Sequence, residues 1–243
     1  MDRRSFHRLC GGLLGGATTL HRQLAAAESS APPASTLAGV TGDSGPWPRT
    51  RLLDDEENPL TVDDIAPGES RVFHYPFRVT PCFLVRLEAR ADRVAPVGGV
   101  GRDHSVLAFS AICSHKMSHP ARPISHIAYR AEAVAFTDHD GQRHRRRGTI
   151  SCCSERSVYD PADGARVLAG PAPVPLAAIA LALDDDGTIV ATASLGQDRY
   201  APFLDAFGFR LALEHGTSDV RRRSGDTAVA TPAERFSHQQ IRC

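Results

Sequence analysis

The stretch "ISCCSERSVYDP", Ile150 to Pro161, decides how the rest of the chain is read. It sets Cys152 and Cys153 side by side at the end of an apolar run and follows them with Ser154, Glu155 and Arg156. A second run, "HSVLAFSAICSH" (His104 to His115), also ends on chemistry-bearing residues, Cys113-Ser114-His115. Two apolar runs that each terminate in a thiol would bring two loops to one end of a β domain.

The surrounding sequence supports that domain. "HIAYRAEAVAFT" and the returning "QRHRRRGTISCC" flank a turn at Asp140-Gly141, and "LAAIALALDDDGTIVATAS" alternates apolar and small residues on both sides of Asp186-Gly187. Upstream, "RVFHYPFRVTPCFLVRLEAR" contains short β-rich runs punctuated by Pro76 and Pro81. The helical pattern is "YAPFLDAFGFRLALEHG", with Phe203, Leu204, Phe207, Leu211 and Leu213 expected on one side and Gly216 as the stop. The expectation is a mainly β, antiparallel domain over residues 70–195. A C-terminal extension with one amphipathic helix, 196–243, would follow it. Residues 28–69, rich in Pro, Ser, Gly and Thr at their start, read as a linker or arm, with order beginning near Ser70.

The two loops resemble those of a Rieske-type 2Fe-2S domain, of the cytochrome bc and arsenite-oxidase small-subunit kind. In such domains one iron is held by two Cys and the other by two His. Cys113-Ser114-His115 matches the first loop, C-x-H. The second loop of the family reads C-x-x-H followed by Gly-Ser-x-Tyr-Asp; with Cys152 on the ligand cysteine, Ser157, Tyr159 and Asp160 stay in register and Glu155 falls in the histidine slot. The resemblance implies that Ser157 and Tyr159 hydrogen-bond the cluster sulfurs and that "GPAPVP", Gly170 to Pro175, covers the site. It covers residues 70–195 and implies one-electron exchange with a redox partner, a cytochrome or an oxidoreductase subunit. The family's loop-to-loop disulfide would need cysteines where this chain has Ser118 and Ser154.

Glu155 leaves three readings open. Glu155, or His119 from the first loop, completes the ligand set of Cys113, His115 and Cys152; or the domain has lost its metal and serves as a structural or interaction subunit. In the third, Cys113, His115, Cys152 and Cys153 hold a single zinc or iron ion, as soft S and N donors allow. If Glu155 is a ligand, its negative charge disfavours added electrons, and the potential falls relative to a two-histidine centre.

Composition bounds the alternatives. Lys and Arg together number 28, as do Asp and Glu, so the net charge is zero and no basic face speaks for nucleic acid. The N-terminus pairs Arg3 and Arg4 ahead of Phe6, runs through a weakly apolar Gly-rich segment that breaks at His21 and Arg22, and ends on Ala25-Ala26-Ala27. That order predicts a Tat-type export signal over residues 1–27 and a periplasmic location, not a transmembrane span. In an oxidising compartment Cys82 and Cys243 would pair, leaving Cys153 over, or stay as free thiols. "RHRRRG", Arg143 to Gly148, reads as a solvated hairpin arm or as a docking patch for an acidic partner. "LALDDDG" lacks the spacing of a calcium loop. A Rieske oxygenase would need a second iron domain, for which the residues after Leu195 leave no room.

Overall fold

The computed structural model describes residues 47–88, 99–196 and 199–243. The expected export signal and the first part of the expected arm lie outside them. In chain order the strands are β1 (Thr50–Leu53), β2 (Ser70–His74), β3 (Pro81–Arg86), β4 (Val106–Ser110), β5 (Ile127–Arg130), β6 (Val134–Thr137) and β7 (Arg143–Arg146). They continue as β8 (Thr149–Cys152), β9 (Ser157–Asp160), β10 (Arg166–Ala169), β11 (Ala178–Leu183) and β12 (Ile189–Leu195). Helix α1 (Tyr200–His215), β13 (Thr227–Val229), β14 (Thr231–Pro232) and the short α2 (Ala233–Phe236) complete the chain. The fold is mainly β and mainly antiparallel.

An eight-stranded sheet runs in the order β13-β1-β12-β11-β4-β3-β2-β14, and a four-stranded sheet in the order β10-β9-β8-β5. The period-2 geometry of a strand explains how they pack. Along β3 and β4, Phe83, Val85, Leu107 and Phe109 face the small sheet and meet Ile127, Tyr129, Ile150 and Tyr159. The alternate residues Cys82, Leu84, Val106 and Ala108 enter a second core with Phe73, Ile179 and Ile189. Both faces of β3 and β4 are buried, which is why their sequences read as continuous apolar runs rather than as alternation. β6 and β7 form a separate two-stranded arm around the Asp140-Gly141 turn.

Order begins well before Ser70. β1 pairs with β12 and β13, Thr50 and Leu52 are fully buried, and Leu60 and Ile65 seal the second core. Arg51 fastens this segment by reaching Asp184 and Asp186, each at 2.6 Å. Apolar stretches of one or two residues, interrupted by charged and polar ones, left no run for the sequence pattern to register. The C-terminal extension likewise holds more than one helix: β13 pairs with β1 and β14 with β2, so it completes both edges of the large sheet. α1 buries Tyr200, Phe203, Leu204 and Leu211, whereas Leu213, expected on that side, is 70% exposed. It stops at Gly216, whose φ of 58° is the left-handed cap that glycine adopts without strain. Among the described residues no helix is long and apolar enough to cross a membrane.

Candidate metal centre

β4 and α1 set the first loop. Ile112 packs against Tyr200, Phe203 and Leu204 of α1 and so anchors the residue before Cys113. The Cys113 N–H donates to the Ser118 carbonyl at 2.9 Å and the Met117 N–H to the Cys113 carbonyl at 2.9 Å, curling the loop tightly. Cys113 is thereby turned inward, 1% exposed, and His115 and Lys116 outward.

The second loop is the connection between β8 and β9. Cys152 and Ser157 are cross-strand partners at its base, and Arg156 closes it with a left-handed φ of 60°. Cys153, at the start of the loop, is disulfide-bonded to Cys243, which ties the loop to the C-terminal tail.

At the inner end the two loops bring Cys113 and Cys152 together as buried free thiols that share a hydrogen bond. The Tyr159 hydroxyl lies 3.2 Å from the Cys113 sulfur and accepts from the Ser114 N–H at 3.2 Å. The Cys152 thiol, the Tyr159 hydroxyl and the backbone N–H groups of His115 and Lys116 outweigh burial and bring the Cys113 thiol down to about 5. Facing that thiolate, and buried, Cys152 is pushed up; burial and the same thiolate raise Tyr159. Ser157 is 1% exposed, and its Oγ has no hydrogen-bond partner among the described residues. A buried hydroxyl left without a partner forfeits about 1–3 kcal/mol, so it marks a place where a ligand atom belongs.

At the outer rim the loops meet again through charge. His115 Nδ1 lies 3.6 Å from Glu155 Oε2, and Lys116 forms an ion pair with the other carboxylate oxygen. The ammonium of Lys116 holds the exposed Glu155 carboxyl below the ordinary carboxylate range. Ser118 Oγ and Ser154 Oγ are 2.7 Å apart, so a hydroxyl pair joins the loops at the two positions where the resemblance places a disulfide. The Gly-Pro segment closes over them: the Ser114 hydroxyl donates to the Val174 carbonyl at 2.7 Å. A Cβ on Gly170 would stand 2.5 Å from the Arg156 carbonyl oxygen and 2.6 Å from Ser157 Cα, so only glycine allows this approach.

The residue types are those a two-iron cluster would use, two thiols paired on the inside, an imidazole and a carboxylate paired outside, and a partnerless hydroxyl beside the thiols, but among the described residues no three His, Cys, Asp or Glu side chains are gathered into one metal-holding group. They do not fit the single-ion reading, because Cys153 is consumed by its disulfide. The His119 ring packs edge-on against Phe203 and Phe207 of α1 at 4.8 and 5.0 Å, its Nδ1 lies 2.9 Å from the Met117 carbonyl oxygen, and its buried Nε2 has no hydrogen-bond partner among the described residues. The Cys82–Cys243 pairing is corrected as well: Cys82 is a buried free thiol in the second core, where its neighbours are apolar.

Sequence reasoning overlooked Lys116 and Arg199. The guanidinium of Arg199 donates to the Ser114 carbonyl at 2.5 Å and so braces the first loop from the start of α1. Lys116 carried one signal, being the only lysine of the chain and adjacent to His115.

No protein-family model matches the chain, and no curated protein does. Among solved structures it is similar to the soluble domain of the Rieske protein II of Sulfolobus acidocaldarius, at 24% identity and a TM-score of 0.40, over 61% of this chain and 78% of that one. It is also similar to the ferredoxin of carbazole 1,9a-dioxygenase of Nocardioides aromaticivorans IC177, at 19% identity and a TM-score of 0.31, over 56% of this chain and 93% of that one.

Proposed function

We propose that this chain is a Rieske-type iron–sulfur protein that exchanges single electrons with a partner oxidoreductase or cytochrome after Tat export to the periplasm. The observation that carries the reading is the inner end of the site. Two buried thiols from separate loops meet there, Tyr159 contacts one of them, and the Ser157 hydroxyl has no protein partner. In this reading Cys113 and Cys152 hold one iron, and His115 and Glu155 the other. A 2Fe-2S cluster so held supplies reversible uptake of one electron. The chain's own part is electrostatic and steric: Tyr159 and the backbone N–H groups of His115 and Lys116 favour thiolate at Cys113. The Gly-Pro segment shields the inner end, and Lys116 balances the charge of Glu155. Export is supported by the paired Arg3 and Arg4 and by the Cys153–Cys243 disulfide, a bond suited to an oxidising compartment.

One observation favours a second reading, a cluster-free interaction subunit: the Glu155 carboxylate is already engaged by Lys116. Titrating the coloured protein anaerobically with dithionite separates the two. Electron transfer requires a visible absorption that bleaches with one electron per chain and is absent from Cys152→Ser. A folded, colourless protein that accepts no electrons supports the second reading.

A further inference from the structure

Beside the second loop lies a cleft of about 440 Å³, within the size range of small-molecule sites. Val134 and Phe136 of the β6–β7 arm and Val158 of β9 form its apolar wall. Arg143 of the arm and Arg156 of the second loop bring guanidinium groups to it, and no Asp or Glu side chain lines it.

On and beside the arm, Arg146, Arg147 and His144 have carboxylate partners, whereas Arg145, like Arg143 and Arg156, has none among the described residues. Arg146 pairs with Asp160 at 2.5 Å, Arg147 with Glu88 at 3.0 Å, and His144 with Asp138 at 2.6 Å. Arg143 and Arg156 have neither an ion pair nor a side-chain hydrogen bond among the described residues. Cys243, disulfide-bonded to Cys153, also lines the cleft. Two exposed cations without ion partners beside an apolar wall repel each other, and an anion between them relieves that repulsion while making charge-assisted, forked hydrogen bonds.

We propose that this cleft binds a small organic anion, its carboxylate held between Arg143 and Arg156 and its apolar body laid against Val134 and Phe136. Cys152 and Ser157 also line the cleft, so its inner end borders the proposed metal site, while Arg143 and Arg156 are not among the proposed ligands.

Benzoate is a suitable probe, with benzamide as its neutral counterpart, titrated at low salt into the full ¹⁵N-labelled chain while amide shifts are followed and iron content is measured in parallel. Benzoate is expected to shift resonances around Phe136, Arg143 and Arg156 in a saturable manner, and benzamide to bind at least about tenfold more weakly. Arg143→Gln and Arg156→Gln should each weaken benzoate about tenfold. Arg156→Lys should lose less than Arg156→Gln. Arg145→Gln, which removes an exposed guanidinium of the same arm outside the cleft, should leave affinity unchanged. Equal binding of the two probes, absence of saturable shifts at these residues, or an Arg145→Gln loss as large as the others would overturn the proposal.

Discussion

Glu155 and Ser157 stand two positions apart and make opposite demands on the site. Glu155 puts a negative charge where the resemblance has a neutral imidazole, so with a cluster bound the added electron meets more repulsion. Glu155→His should therefore raise the reduction potential in a redox titration, while an equal or lower potential in the variant removes Glu155 from the ligand set. Ser157 is partnerless without a cluster, which makes its two roles separable. In the metal-free protein Ser157→Ala should change stability by no more than about 0.5 kcal/mol, or improve it slightly, because no protein hydrogen bond is lost. In the loaded protein it should lower the potential, since a donor to the cluster sulfur stabilises the reduced charge. A large loss of metal-free stability on urea unfolding would show that the hydroxyl already has a partner. Cys113, Cys152, Ser157 and Tyr159 were singled out through the resemblance of the two loops, which rests on short local motifs. The pairing of Lys116 with Glu155 and of Ser118 with Ser154 was not legible, because each joins residues more than thirty positions apart and depends on how the two loops face each other.

At the scale of elements, α1 and the C-terminal tail act as braces for the two loops. α1 meets the domain across a cavity of about 250 Å³ that His74 of β2, His119 of the first loop and His215 of α1 all line, together with Arg122 and Glu214. Burial lowers all three imidazoles, His74 to about 3, with Arg122 and the neighbouring histidine opposing its charge as well. A histidine kept neutral by folding binds fewer protons than it does unfolded, so stability is complete above about pH 6.5 and declines as pH falls from there towards 3. The melting temperature should drop by several degrees between about pH 7 and pH 5, and His74→Phe should flatten that slope. A profile of unchanged slope in the variant would place the pH dependence elsewhere. The tail brace is covalent: Cys153 and Cys243 are 90 residues apart, and Cys243→Ser should cost about 2–4 kcal/mol, seen as a lower melting temperature that reductant no longer changes. α1 was readable from its 3.6-residue apolar repeat and its glycine stop. β1, β13 and β14 were not, because β13 and β14 complete the two edges of the large sheet and β1 bridges β13 to β12, none of them through an apolar period of its own.

Over the whole molecule, the two sheets place both loops at one end, and later segments of the chain hold them there. The β class, the two hairpins and the convergence of the loops follow from patterns a few residues long. The boundaries do not: residues 50–65 and 227–236 belong to the cores and sheet edges because of contacts across the length of the chain. The arm of β6 and β7 joins the domain through Arg146 on Asp160, whose side chain is only 3% exposed. Asp160→Asn should loosen that arm, raising amide exchange over β6 and β7 while leaving the two cysteine thiols paired. The proposed function rests on metal, and metal content tests it most directly. Iron and acid-labile sulfide should be counted per chain in protein purified anaerobically from a Tat-competent host supplied with iron. The account predicts about two of each, lost together in Cys113→Ser. Well-folded protein containing neither would contradict it.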